Sequence, residues 1–300
     1  MRVQYPACRN LTLRLLEPLG APEQAAEPAT PAGASKAAAG ASIHFENVSV
    51  RVAGHMVLHD VSLEIPGGSH VAIVGPSGAG KSSLVGLLLG WRRPAAGSVR
   101  VDDAPLDGMA SLRRQTAWVD PAVHLFNRSL FENLCYGASQ SSIPMSQAIE
   151  AAELKSVLES LPGGFETRLG EGGALVSGGE GQRVRLARAM LRGGVRLAIL
   201  DEPFRGLDRE QRRQLLARVR RLWRDATLLC ITHDIAETLA FDRVLVLEGG
   251  RLVEQGEPAR LARAGGRYGA MIEAEEAVRT GLWSGESWRR LCLREGRLNG

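Results

Sequence analysis

Lysine is nearly absent from this 300-residue chain. Only Lys36, Lys81 and Lys155 occur, although lysine and arginine together number 37. Cysteine is sparse as well. Cys8, Cys135, Cys230 and Cys292 stand far apart and form no C-x-x-C pair, which argues against a zinc site and against a disulfide framework. Reduced thiols in a cytosolic setting are the simple reading. No window approaches the roughly 18 consecutive apolar residues of a membrane span. The N-terminus lacks the apolar stretch of a signal peptide. The chain by itself therefore reads as soluble, and a membrane role would have to come from a partner or from a segment outside it. The net charge of +4 is modest for this length and does not argue for nucleic acid. The pairs Arg212-Arg213 and Arg220-Arg221 read as solvated helix faces. What is present is ordinary for a globular protein, at 44% hydrophobic and 23% charged residues.

The chain shows no internal repeat. Residues 1–20 include Leu11, Leu15 and Leu16, which could line one side of a helix that Pro18 and Gly20 stop. Residues 21–42 are an Ala/Pro-rich linker with almost no large apolar residue. Order is expected from Ile43, where Ile43 to Val50 alternates as a half-buried strand and Val57 to Ile65 repeats the pattern. Further strands are expected at His70–Val74, Ser98–Val101, Thr116–Val119, Arg196–Leu200, Ala226–Thr232 and Arg243–Leu247. Residues 129–161 read as mostly helical, Gly163 to Gly181 as a Gly-dense segment followed by a helix through Arg192, and 208–223 as a helix. Strands alternating with helices imply a parallel α/β sheet.

One of the three lysines sits in Gly75-Pro76-Ser77-Gly78-Ala79-Gly80-Lys81-Ser82-Ser83. This stretch fits G-x-x-x-x-G-K-[ST], the phosphate-binding loop, between an apolar strand and an apolar helix opening. Its glycines let backbone N–H groups point at phosphate oxygens, and the helix N-terminus adds partial positive charge. Lys81 would supply a compact full charge to the β- and γ-phosphates, and the Ser82 hydroxyl is placed for Mg²⁺. A second element, Leu197-Ala198-Ile199-Leu200-Asp201-Glu202, is a hydrophobic strand ending in two acids. Asp201 would hold Mg²⁺ through water, and Glu202 would orient or polarise an attacking water.

A third element is Val176-Ser177-Gly178-Gly179-Glu180, and a fourth is Thr232-His233-Asp234. The order of these four resembles the nucleotide-binding domain of an ABC (ATP-binding cassette) ATPase, over roughly residues 43–270. The resemblance implies a P-loop NTPase with a RecA-like parallel sheet core, an N-terminal antiparallel β subdomain and a helical subdomain at about 121–190. It implies ATP and Mg²⁺ as ligands. Ser177, Gly178 and Gly179 match the family's L-S-G-G-Q signature, which serves the γ-phosphate of the nucleotide held on another subunit's loop. A head-to-tail dimer with a second ABC ATPase domain is therefore expected, identical or not. The match of His233 implies a contact to the γ-phosphate, and Arg205-Gly206-Leu207-Asp208 corresponds to a loop that crosses the dimer interface. Thr167 to Gly173 resembles the T-x-V-G-E-x-G segment by which exporters touch their transmembrane domain. Ala7 to Glu23 looks like the cytosolic end of an exporter's last membrane helix. The expected function is thus ATP-driven export at the cytoplasmic face of the cell membrane, through a transmembrane partner. Glu202, His233 and Lys81 would be the catalytic residues, and Ser82 and Asp201 the metal ligands. Residues 271–300 would form a C-terminal extension, read as a strand or helix packed on the same domain.

Four positions depart from the family. Val52 stands where an aromatic residue usually stacks on adenine, Pro121 where a Gln usually touches Mg²⁺, and Val176 and Glu180 where the signature has Leu and Gln. Asp120 could offer a carboxylate in place of that Gln, whereas Gln115 lies at the wrong end of its strand. These departures leave open a degenerate, non-hydrolysing regulatory subunit. A soluble ABC ATPase acting on DNA or ribosomes is the remaining alternative, and the chain lacks the coiled-coil insertion, zinc cysteines or duplicated cassette such proteins usually show.

Overall fold

A computed structural model describes residues 40–106, 110–120, 124–138, 141, 143–284, 292–294 and 297–299. The first elements are a hairpin of β1 (Ile43–Val52) and β2 (His55–Ile65). Ala53 and Gly54 both take positive φ in the two-residue turn between them, the backbone a tight hairpin with right-handed strand twist requires. The apolar alternation of β1 jumps from Phe45 to Val48, where the register shifts and Asn47 adopts φ 51. That bulge returns Val48 and Val50 to the buried face after two exposed residues. Next come β3 (His70–Val74), α1 (Lys81–Leu88), β4 (Ala96–Val101), β5 (Ala104–Pro105), α2 (Ala110–Arg114) and β6 (Thr116–Val119). The segment read as mostly helical breaks into three short helices, α3 (Leu130–Cys135), α4 (Met145–Ala151) and α5 (Lys155–Ser160).

The helix expected after Gly181 begins earlier, as α6 (Gly178–Met190). Ser177 accepts the Glu180 N–H while the Glu180 carboxylate accepts the Ser177 N–H, a reciprocal cap that outweighs the poor helix propensity of the glycines. The chain continues through β7 (Leu197–Asp201), α7 (Arg209–Leu222), β8 (Thr227–Ile231), β9 (Arg243–Glu248), β10 (Arg251–Gly256), α8 (Pro258–Arg263) and α9 (Arg267–Ser284), and ends in a hairpin of β11 (Cys292–Arg294) and β12 (Arg297–Asn299). Helix α9 runs through residue 270, where the sequence suggested that the domain stops. The N-terminal helix expected at 1–20 and residues 21–39 of the linker expected at 21–42 lie outside the described residues, as does Pro121, whereas Ala41, fully buried with its N–H on the Arg196 carbonyl, already belongs to the fold.

Two sheets result. β2-β1-β4-β5 is antiparallel, and β10-β9-β3-β8-β7-β6 has five parallel strands with β10 as an antiparallel edge. Ser98–Val101, expected as a strand without a partner assigned, belongs to the first sheet. Each central strand is buried on both faces. Val71 and Ile73 of β3 join the core beneath the antiparallel sheet and α1, whereas Ala72 and Val74 join the core shared with the helical segments. Strands buried on both faces must read as unbroken apolar runs, which is why His70–Val74 and Leu197–Leu200 were legible.

The double arginines divide rather than sharing one solvated face. Arg213 is exposed and paired with Glu210, while Arg212 turns inward. Arg220 donates to His70 Nδ1 and lies over the Phe241 ring, while Arg221 is exposed. A polar knot holds the helical segment. Arg188 donates to the Asn133 main-chain and side-chain oxygens at 2.7 and 2.8 Å, and Asn133 is fully buried. Burial lowers the Arg188 pKa to about 10, so the guanidinium remains charged among acceptors that satisfy it.

Candidate functional site

Strand order sets the site. β8 lies between β3 and β7, so the loops that leave the C-terminal ends of these three neighbours meet above one edge of the sheet. They carry Gly75–Ser83, Asp201–Glu202 and Thr232–Asp234 respectively.

In the first loop, Gly80 occupies the N-cap of α1 with φ 99. A Cβ there would come 2.6 Å from Leu58 Cδ2 and 2.8 Å from the Val57 carbonyl oxygen, so no other residue fits. α1 has no side-chain cap and no acid in its first turn. Its leading N–H groups are left for an anion. Lys81 is 7% exposed, and its Nζ donates to the carbonyl oxygens of Gly75 (2.8 Å) and Pro76 (2.9 Å). Burial lowers its pKa, against the pull of Glu202 and Asp201. The ammonium is folded over the loop, where phosphate oxygens can take over from the two carbonyls. Pro76, Ser77 and Gly78 form the exposed tip, Ala79 is buried, and Ser83 is half-buried at the helix start.

The Ser82 hydroxyl donates to Asp201 Oδ2 at 3.0 Å. Burial raises the Asp201 pKa, the Ser82 bond opposes this, and Asp120 and Glu202 add to the rise. An acid with a paired hard oxygen donor, flanked by further carboxylates, fits a hydrated divalent cation of the magnesium type. Among the described residues no group of three or more His, Cys, Asp or Glu is placed to hold a metal. Ser82 and Asp201 are the side chains that would hold such an ion.

Glu202 has φ 45, a left-handed conformation costly for a glutamate, and its N–H is pinned to the Ile231 carbonyl at 3.0 Å. His233 Nε2 lies 2.7 Å from Glu202 Oε1. The two side chains expected to act on water and γ-phosphate are therefore brought together, and both line a cavity of about 280 Å³ together with Phe204, Leu207, Arg212 and Thr232.

Ser177, Gly178 and Gly179 stand elsewhere, at the N-terminus of α6, and Ser177 and Gly178 are exposed. A Cβ on Gly179 would meet Leu207 and the Gly206 carbonyl at 3.1 and 3.2 Å, so that glycine serves the chain's own packing. A Cβ on Gly178 would meet nothing within 4 Å. The chain's own packing does not require glycine at 178; an approaching ligand would.

Val52 ends β1 opposite His55 and packs on the core beneath the sheet, so it presents no aromatic face. Asp120, half-buried at the end of β6, acts electrostatically on both Asp201 and Arg185. Gln115 sits at the opposite end of that strand, its carbonyl accepting from Arg196 and Leu197. Asp208 caps α7 by accepting the Gln211 N–H. In the 167–173 segment, the Thr167 carbonyl accepts the Leu130 N–H and Arg168 bridges Ser129. Phe131, next to Leu130, and Tyr136, which packs on Phe126, are 47% and 56% exposed. Sequence reasoning missed Arg212, which donates to the Leu207 carbonyl and to Asp234 Oδ2, both at 3.1 Å.

Fold and site together define a P-loop nucleoside triphosphatase of the ABC type. Residues 58–205 match the family model described as ABC transporter. An ATP-dependent lipid A-core flippase of Burkholderia pseudomallei (strain 1710b) is 39% identical over 250 residues, covering 81% of this chain and 42% of that protein. A flippase of the same name from Albidiferax ferrireducens is 40% identical over 232 residues, covering 75% and 40%. A solved bacterial Atm1-family ABC exporter with ATP bound superposes with a TM-score of 0.78 at 31% identity, covering 91% of this chain and 49% of that one. This chain carries an ATP-binding ABC ATPase domain. It spans about two fifths of the length of the curated relatives it matches.

Proposed function

We propose that this chain is the ATP-hydrolysing part of an ABC exporter, and that ATP closes two such domains head to tail at the cytoplasmic face of a membrane. The observation that carries the reading is the pairing of Glu202 with His233 beside an intact phosphate loop. Lys81 and the open N-terminus of α1 bind the phosphates. Ser82 and Asp201 would hold Mg²⁺, which when bound offsets charge on the β- and γ-phosphate oxygens. Glu202 orients water for in-line attack and takes its proton, while His233 holds the γ-phosphate. Ser177, Gly178 and Gly179 complete the γ-phosphate site of the partner. No helix among the described residues is long and apolar enough to cross a membrane. Membrane helices would therefore be engaged through the 167–173 segment and the exposed rings of Phe131 and Tyr136.

Turnover of MgATP per subunit, measured against protein concentration for wild type and Glu202→Gln, tests this. Turnover that rises with concentration in the wild type, with a loss of about 10²–10³-fold in the variant while ATP still binds, is expected. Equal, flat background in both would favour the regulatory subunit that Val52 and Pro121 leave open.

A further inference from the structure

The loop that follows His233 is held from the C-terminal helix. In α9 the Glu275 carboxylate oxygen Oε2 accepts the N–H of Ile235 at 2.7 Å and of Ala236 at 3.1 Å. One turn further on, Thr238 Oγ1 and Tyr268 Oη share a hydrogen bond of 2.6 Å, and both residues are fully buried. From the other side, Arg212 joins Asp234 to the Leu207 carbonyl, so the loop bearing His233 is also tied to the 205–208 loop. Residues 234–238 thus have three anchors, two of them from α9. The Ile235 and Ala236 N–H groups open a short helical turn whose own Asp234 accepts only the Glu237 N–H, at 3.3 Å, and Glu275 accepts the two before it from 40 and 39 residues away.

We propose that Glu275 is a positioning residue for ATP hydrolysis, through which helix α9 sets His233 against Glu202 and the γ-phosphate. The proposal rests on the hydrolytic reading above. The environment of Glu275 agrees with it. Burial and the neighbouring Asp234 push this acid above its ordinary pKa, and the two N–H groups pull it back. An acid kept at such a place is held there by what it bonds. His233 lies two residues before the first of those N–H groups, with its ring half exposed, so its own packing contributes little to its placement. Anything that moves α9 would then reach turnover without touching nucleotide.

The test compares wild type, Glu275→Ala and Glu275→Gln in the full chain, reading kcat and KM for MgATP together with hydrogen exchange at the Ile235 and Ala236 amides. Gln keeps a carbonyl acceptor for both N–H groups. For Glu275→Ala we expect kcat to fall on the order of tenfold with KM within about twofold, and the two amides to exchange faster. For Glu275→Gln both readouts should return to near wild type. The proposal is overturned if Glu275→Ala leaves kcat unchanged, if kcat and KM worsen together, or if amide protection at 235 and 236 is unaltered. A wild type without turnover defeats the hydrolytic reading and with it the positioning role, whereas unaltered turnover in Glu275→Ala beside an active wild type defeats the positioning role alone.

Discussion

Two helix N-termini in this molecule carry glycine-rich phosphate motifs, and they are finished in opposite ways. α1 begins at Gly80 with no side-chain cap, no acid in its first turn and a buried lysine beside it. α6 begins at Ser177 with a complete capping box and an acid, Glu180, in its first turn. The first end is left unsatisfied by its own chain and equipped with a full positive charge. The second satisfies its Ser177 and Glu180 N–H groups itself, is exposed, and is less attractive to an anion by one carboxylate. On the proposed reading the difference divides the labour: α1 would bind nucleotide alone, whereas α6 would only add to phosphate already held, as a site completed by a second subunit needs.

That contrast can be broken from either side. Lys81→Ala should have the largest effect, cutting turnover by about 10³-fold with ATP binding lost as well, because it removes the charge that α1 depends on. Binding of a fluorescent nucleotide would check it, and near-normal affinity would contradict the account. Gly178→Asp comes next. The chain has open space there, so the melting temperature should hold, while a carboxylate in the cradle repels the γ-phosphate. Turnover should fall about a hundredfold with nucleotide affinity of the isolated subunit intact. The smallest effect is at Glu180. Its carboxyl is held below the usual range chiefly by the Ser177 N–H. A lowered folded-state pKa means that its support is present above the unfolded value near 4.5 and is lost as pH falls through the folded one. Glu180→Gln keeps the capping geometry but loses the charge, so the melting temperature at pH 7 should fall slightly, the further loss of stability on acidification below about pH 4.5 should be shallower, and ATP-dependent dimerisation should strengthen a few-fold.

The sequence made the α1 site legible because every requirement there is local. Glycine at 80, lysine at 81 and a hydroxyl at 82 follow one another on one turn, and the strand before them is an unbroken apolar run. Asp201 and Glu202 stand out as acids at the end of an apolar strand, whereas His233 is singled out only by its place in the family's series of motifs. The start of α6 was misplaced because three glycines hid a helix that the S-x-x-E spacing of Ser177 and Glu180 already announces. Arg212 and Glu275 were not legible. Their partners lie 22 and 39–40 residues away, and only the way α7 and α9 pack against the His233 loop brings them together. A sequence window shows Arg212 beside Arg213 but not that one faces Asp234 and the other water.

Mixing Lys81→Ala with Gly178→Asp tests the central claim most directly. Each variant alone should be nearly inactive. If the two helix ends meet around one nucleotide across a dimer of this chain, each mixed dimer rebuilds one intact site from the good loop of one subunit and the good signature of the other. An equimolar mixture should then recover about a quarter of wild-type turnover, since half of the dimers are mixed and each holds one site of two. A mixture no more active than the average of its two components would contradict the account.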